Sequence, residues 1–113
     1  MDVKSGLIID TPAIDRILSG EKTWEMRSER TKKHGLIALI RKGTKTVVGT
    51  VEVVDSIGPF TPEEMLLNQR YHLMTPERLA DPKVAKWNHA WVLRNARPLS
   101  EPIPSGQRDG AVT

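Results

Sequence analysis

Residues 36–57 constrain the fold more than any other part of the chain. The run 36–41, Leu-Ile-Ala-Leu-Ile-Arg, is apolar until Arg41, the pattern of a strand covered on both faces. Lys42-Gly43-Thr44 makes a tight turn, and 45–57 is a long strand rich in valine. A hairpin of this length and hydrophobicity needs further strands beside it and layers on its faces. Gly49 interrupts the second strand, and such a glycine marks a bend or bulge in small curled sheets.

The other segments supply those neighbours. Residues 6–10, Gly-Leu-Ile-Ile-Asp, read as a short buried strand. Asp10 or Thr11 can cap the next element, a helix with Pro12 at its first position and Ala13, Ile14, Ile17 and Leu18 on its apolar side. Gly20 suits the left-handed position that ends it. Residues 30–35 are polar and read as a loop. Thr61-Pro62-Glu63-Glu64 and Thr75-Pro76-Glu77 are two helix starts, so 61–82 is a helical insertion between strands. The strand pattern returns at 87–96, with His89, Trp91 and Leu93 on one face and Asn88, Ala90, Val92 and Arg94 on the other. Pro98, Pro102 and Pro104 place the segment 97–104 at a sheet edge. Residues 105–110 read as a turn, and 111–113 as the start of a strand. Five or six short strands, one early helix and a helical insertion make an α+β fold, a small, strongly bent β-barrel. Closure would remove the edges that these apolar strands otherwise expose.

The chain has 113 residues, enough for one domain with a modest core. It has no cysteine, which excludes disulfides and thiolate metal sites and fits a reducing, cytoplasmic setting. No apolar run approaches the roughly 20 residues that span a bilayer, and residues 1–6 lack the shape of a signal peptide. His34, His72 and His89 are too scattered for a zinc motif. Gly-rich phosphate loops are absent as well, so neither a metal nor another cofactor is expected. The formal net charge of +3 only permits a polyanionic partner. Its clustering says more: Arg30, Lys32, Lys33, Arg41 and Lys42 form a candidate patch for RNA phosphates, or else a solvated basic loop.

The densest chemistry lies in residues 20–28, Gly-Glu-Lys-Thr-Trp-Glu-Met-Arg-Ser. As a strand, Thr23, Glu25 and Arg27 share one face, and Trp24, Met26 and Ser28 share the other. The first face sets a carboxylate beside a guanidinium, with Lys22 just ahead. It is either one wall of a cleft or a solvated charge pair. A carboxylate near Lys22 would hold its ammonium charged, as would the helix end before it. Trp24, Trp87 and Trp91 can each fill core or stack a base.

With Pro12 and Ile17, the motif through Lys22-Thr23-Trp24-Glu25-Met26-Arg27-Ser28 resembles the opening signature of the ASCH domain family, relatives of the PUA-like RNA-binding barrels. Val48-Gly49, Val51, His89-Ala90-Trp91-Val92-Leu93, Arg97-Pro98-Leu99, Pro102, Pro104 and Gly110-Ala111-Val112 fit the same pattern, so the resemblance spans nearly the whole chain. It implies a PUA-like barrel with a cleft beside the early helix that takes RNA or a modified nucleoside. Lys22, Thr23, Trp24, Glu25, Arg27, Ser28, Trp87 and His89 are then the candidate ligand contacts. Some small members of the family are amidohydrolases that deacetylate acetylated cytidine, and others are linked to RNA cleavage. The lysine of the amidohydrolase motif falls on Lys22, whereas its threonine position holds Glu25 here. If the chain is an enzyme, Lys22 and Glu25 are the expected catalytic pair.

Overall fold

In the computed structural model, which describes residues 5–105, the hairpin sits at the centre of the molecule. Its arms are β3 (Gly35–Arg41) and β4 (Thr46–Ile57). Gly43 and Lys45, both at positive φ, make the turn between them. Beside β3 lies β1 (Gly6–Ile9), in parallel, and beside β4 lies the sixteen-residue β5 (His89–Pro104). The short β2 (Trp24–Arg27) adds antiparallel to the first half of β5. The sheet therefore has the order β1-β3-β4-β5-β2 and mixed direction.

This is the strongly bent sheet expected, a curled half-barrel that among the described residues is open between β1 and β2. β1 and β2 are its two edges and do not pair with each other. Five strands are present among the described residues. Residues 111–113, read as the start of a further strand, lie outside them, as does most of the 105–110 turn. The proline-rich segment after residue 97 proves to be continuous with β5. It pairs only with β4, so its prolines do occupy an edge, where a missing N–H costs no ladder bond.

The curl has local causes in β4. Its register against β5 slips between Val47 and Gly49, between Thr50 and Glu52, and between Val53 and Asp55. The first two slips leave more residues unpaired on β5 than on β4, the third leaves Val54 alone, and such irregularities increase twist. At Gly49 a side chain is also excluded sterically. A Cβ there would collide with the side chain of Leu18 and come within 2.7 Å of the Arg97 carbonyl. The glycine thus bends the strand and lets the early helix settle on it.

That helix, α1 (Ala13–Leu18), turns Ile14 and Ile17 inward. No side chain caps its start. Asp10 contributes its carbonyl, which accepts from the Ile14 N–H, and the hydroxyl of Thr11 is taken by Arg41 instead. With Leu7, Ile9, Ile37, Leu39, Val48, Val51, Val53 and Leu93, α1 builds the first of two cores.

The helical insertion builds the second on the other face of the sheet. It consists of α2 (Pro62–Leu67), α3 (Gln69–His72) and α4 (Pro76–Leu79). Thr61 and Glu64 form a reciprocal capping box at the start of α2, and Thr75 caps α4. Met65, Met74 and Val84 pack there against Trp24, Met26 and Ala90. The expected alternation along β5 holds: Trp91 and Leu93 face the first core, Ala90 and Val92 the second. Among the described residues no helix is long and apolar enough to cross a membrane.

Candidate functional site

Because the half-barrel does not close, a cleft of about 490 Å³ opens between its two edge strands. Ile8 and Ile9 of β1 form one side and Glu25, Met26 and Arg27 of β2 the other. Ala13 and Arg16 of α1 and Asp10 to Pro12 just before it, Lys42 of the hairpin turn, His72 to Met74 and Arg78 from the insertion, and Trp87 after it complete the lining.

Lys22 is the deepest charge in this cleft. It lies just past α1, where Gly20 takes the left-handed φ of 87° that ends the helix, and its N–H donates to Arg16 O. The side chain is only 6% exposed, and Nζ donates to the His72 carbonyl at 2.6 Å. Its pKa lies below the ordinary lysine value, chiefly because burial disfavours the ammonium. Glu25 opposes that shift, while Arg78 and Arg16 add to it. Glu25 thus acts on Lys22 in the expected direction, but burial outweighs it. Desolvation is the largest effect, and the Glu25 carboxylate is also engaged elsewhere.

That engagement is with Arg27. Its Nε and Nη2 both approach Glu25 Oε2, at 3.1 and 3.0 Å. Nη2 also donates to Ile8 O at 3.3 Å, so one guanidinium reaches from edge strand β2 to edge strand β1. The Trp91 ring lies under it, 5.7 Å from its carbon to the ring centroid.

His72 anchors the insertion against Lys22. It is 1% exposed, with Nδ1 accepting from the Met74 N–H at 2.9 Å. The proton is therefore on Nε2, which donates to Met65 O at 2.6 Å. Burial lowers the His72 pKa, so the ring is neutral.

The remaining sequence candidates divide clearly. Glu25 and Arg27 line the cleft with Lys22, whereas Thr23 is not among the lining residues. The Thr23 backbone bonds to Tyr71 and Leu93. Met26 is buried on the expected face yet also reaches the cleft. The Trp24 ring belongs to the second core, stacked between Phe60 and Tyr71 at centroid distances of 5.3 and 4.8 Å. Trp87 lines the cleft under Arg78, 5.9 Å away. His89 pairs across from Arg27 and is not in the lining, and its buried Nδ1 has no hydrogen-bond partner among the described residues. Ser28 is exposed just past β2.

The basic patch splits as well. Arg30, Lys32 and Lys33 stay exposed on a loop that Thr31 ties to Ser56 and Glu29 ties to the Trp91 indole. Arg41 is bound by Asp15, at 2.7 Å, and by Thr11, whereas Lys42 reaches the cleft with, among the described residues, a 3.6 Å contact to Asp10. Arg16 and Arg78 were not legible as site residues. Each looks like an ordinary polar position on a short helix, and only the curl of the sheet brings them together.

A curled five-stranded mixed sheet with a cleft between an early helix and a helical insertion defines a PUA-like half-barrel. The sequence profile of the ASCH domain matches residues 7–103, and the chain belongs to that family. The fold is similar to the crystal structure of ASCH from Zymomonas mobilis, with a TM-score of 0.69 at 18% identity over 90% of this chain and 74% of that one. Two mutant forms of the Zymomonas protein align with TM-scores of 0.68 and 0.67, at 18% and 17% identity, over 87% and 93% of this chain and 73% and 78% of theirs. No curated protein sequence matches.

Proposed function

We propose that this ASCH domain binds RNA or a modified nucleoside in the cleft between β1 and β2. One observation carries the reading. Arg16, Lys22, Arg27, Lys42 and Arg78 face Asp10 and Glu25 there, an excess of three cations that equals the formal net charge of the whole chain. The rest of the protein is balanced, so the attraction for an anion is concentrated at one concave site. Lys22 supplies donors at the bottom, and Glu25 keeps Oε1 for an exocyclic amine or a hydroxyl. Trp87 offers a ring face to a base, and Arg30, Lys32 and Lys33 extend the positive surface along a chain. Fluorescence anisotropy of a labelled single-stranded RNA tests this. Affinity should fall steeply with salt, with a slope of about one per phosphate contact. Affinity that is flat across a salt titration would defeat the reading.

A second reading, amide hydrolysis on acetylated cytidine, draws support from the lowered pKa of Lys22. A neutral amine can act as general base, with Glu25 moving the proton on. Against it stands Glu25 itself, ion-paired to Arg27 where a hydroxyl would be needed for attack. Release of acetate from the acetylated nucleoside, abolished in Lys22→Met, would establish the hydrolase.

A further inference from the structure

Three cations, Arg16, Lys22 and Arg78, line the same cleft, and Glu25 is the carboxylate that acts on Lys22. Arg16 and Arg78 both act electrostatically on Lys22, and the neighbouring carboxylate, Glu25, is engaged by Arg27. They come from three separate places: α1, the entry to β2, and α4. Gathering like charges this way costs free energy unless a ligand of opposite charge offsets it. A phosphodiester brings one negative charge, whereas a phosphomonoester brings nearly two near neutral pH.

The cleft is also tied across at one end of β2. Arg27 reaches across to Ile8 O, tying the two sheet edges together, and is held in that pose by Glu25 and Trp91. Five residues earlier, the Lys22–His72 bond joins the start of β2 to the insertion. The wall between these ties is roughly 16 Å of extended chain. A polymer cannot run past a tie that joins the two edge strands, though its terminus can enter.

Resting on the binding function proposed above, we infer that the cleft is selective for a terminal phosphomonoester, carried by a free nucleotide or by the end of an RNA chain, with the phosphate among Arg16, Lys22 and Arg78. Trp87, which also lies under Arg78, is placed to meet the adjoining base.

The test compares one RNA sequence as a linear 5′-phosphorylated, a linear 3′-phosphorylated, an unphosphorylated linear and a covalently closed circular form. A nucleoside and its monophosphates are measured beside them by calorimetry. At least one phosphorylated end should bind about tenfold more tightly than the circle and the unphosphorylated chain. Arg78→Gln and Arg16→Gln, both at exposed helix positions, should each shrink that preference. A monophosphate competing as well as the phosphorylated chain identifies a free nucleotide as a sufficient ligand, and a much weaker one assigns the site to RNA ends. Equal binding of circle and phosphorylated chain overturns the inference while leaving RNA binding intact. No binding of any probe overturns both.

Discussion

Replacing Lys22 with methionine separates what the cleft does from what holds it together. The variant keeps most of the stem volume, so the surrounding packing is little disturbed, but it removes the charge and three donors. One donor is occupied by His72 O at 2.6 Å, which leaves two for a ligand. A hydrogen bond from a charged group contributes about 1.5–3 kcal/mol, so binding should weaken by about tenfold or more. Stability responds to two opposing changes. The buried carbonyl of His72 loses its partner, a cost of about 1–3 kcal/mol. Against this, the fold no longer buries an ammonium that burial disfavours. Linkage gives the sign. With the folded pKa below the unfolded value of 10.5, the unfolded chain binds more protons in the window between them. Wild-type stability therefore gains relative to the variant as pH rises through that window. Urea denaturation of both proteins at several pH values up to about 10 measures the difference directly. A difference that stays flat with pH would refute the account of Lys22 as a desolvated cation. Undiminished RNA or nucleotide binding by a folded Lys22→Met would remove it from the site.

Neighbouring contacts lead to two further outcomes. Lys42→Ala should reduce the salt slope of RNA binding by about one unit, whereas Arg41→Ala, whose guanidinium is held by Asp15 and Thr11, should leave the slope nearly unchanged; anisotropy titrations of both variants check this. For His72, a folded pKa below 6.5 means that the unfolded chain takes up the proton first, so this group's contribution to stability is lost as pH falls below about 6.5. Denaturation of wild type and His72→Gln between about pH 7 and pH 5 should show the wild type losing more.

Much of the fold was legible because each signal was local. The Lys42-Gly43-Thr44 turn, the Thr61 and Thr75 caps and the alternation at Trp24 and Met26 depend on residues within a few positions of one another. The opening between β1 and β2 was not legible, since it depends on how three slips along β4 accumulate into curl. The same limit applies to the site. Lys22, Glu25 and Arg27 announced themselves by lying close together in one short segment. Arg16 and Arg78 are separated from it by a helix end or by the insertion, and no spacing rule connects them. Arg41 and Lys42 show the converse: adjacent in sequence, they part because Asp15 lies within reach of one alone. Trp24 was open to two uses until Phe60 and Tyr71 were seen on either side of it.

The division of the apolar interior between the two faces of one sheet gives the molecule a replaceable part. The insertion from Pro62 to Leu79 rests on the second cluster, and the early helix rests on the first. Its link to the cleft runs through the His72 carbonyl and the side chains of Met74 and Arg78. A lineage could therefore lengthen, shorten or rewrite this segment outside Met65, Tyr71 and Met74, which pack on Trp24 and Met26 of β2, and so retune which ligand is held while the first core keeps its packing. The same separation lets the segment lift away locally at a cost below that of global unfolding. Backbone amides of Tyr71 to Met74 should then exchange with solvent sooner than those of Leu39 or Val51, and the cleft would gain and lose a wall while the first core stays intact.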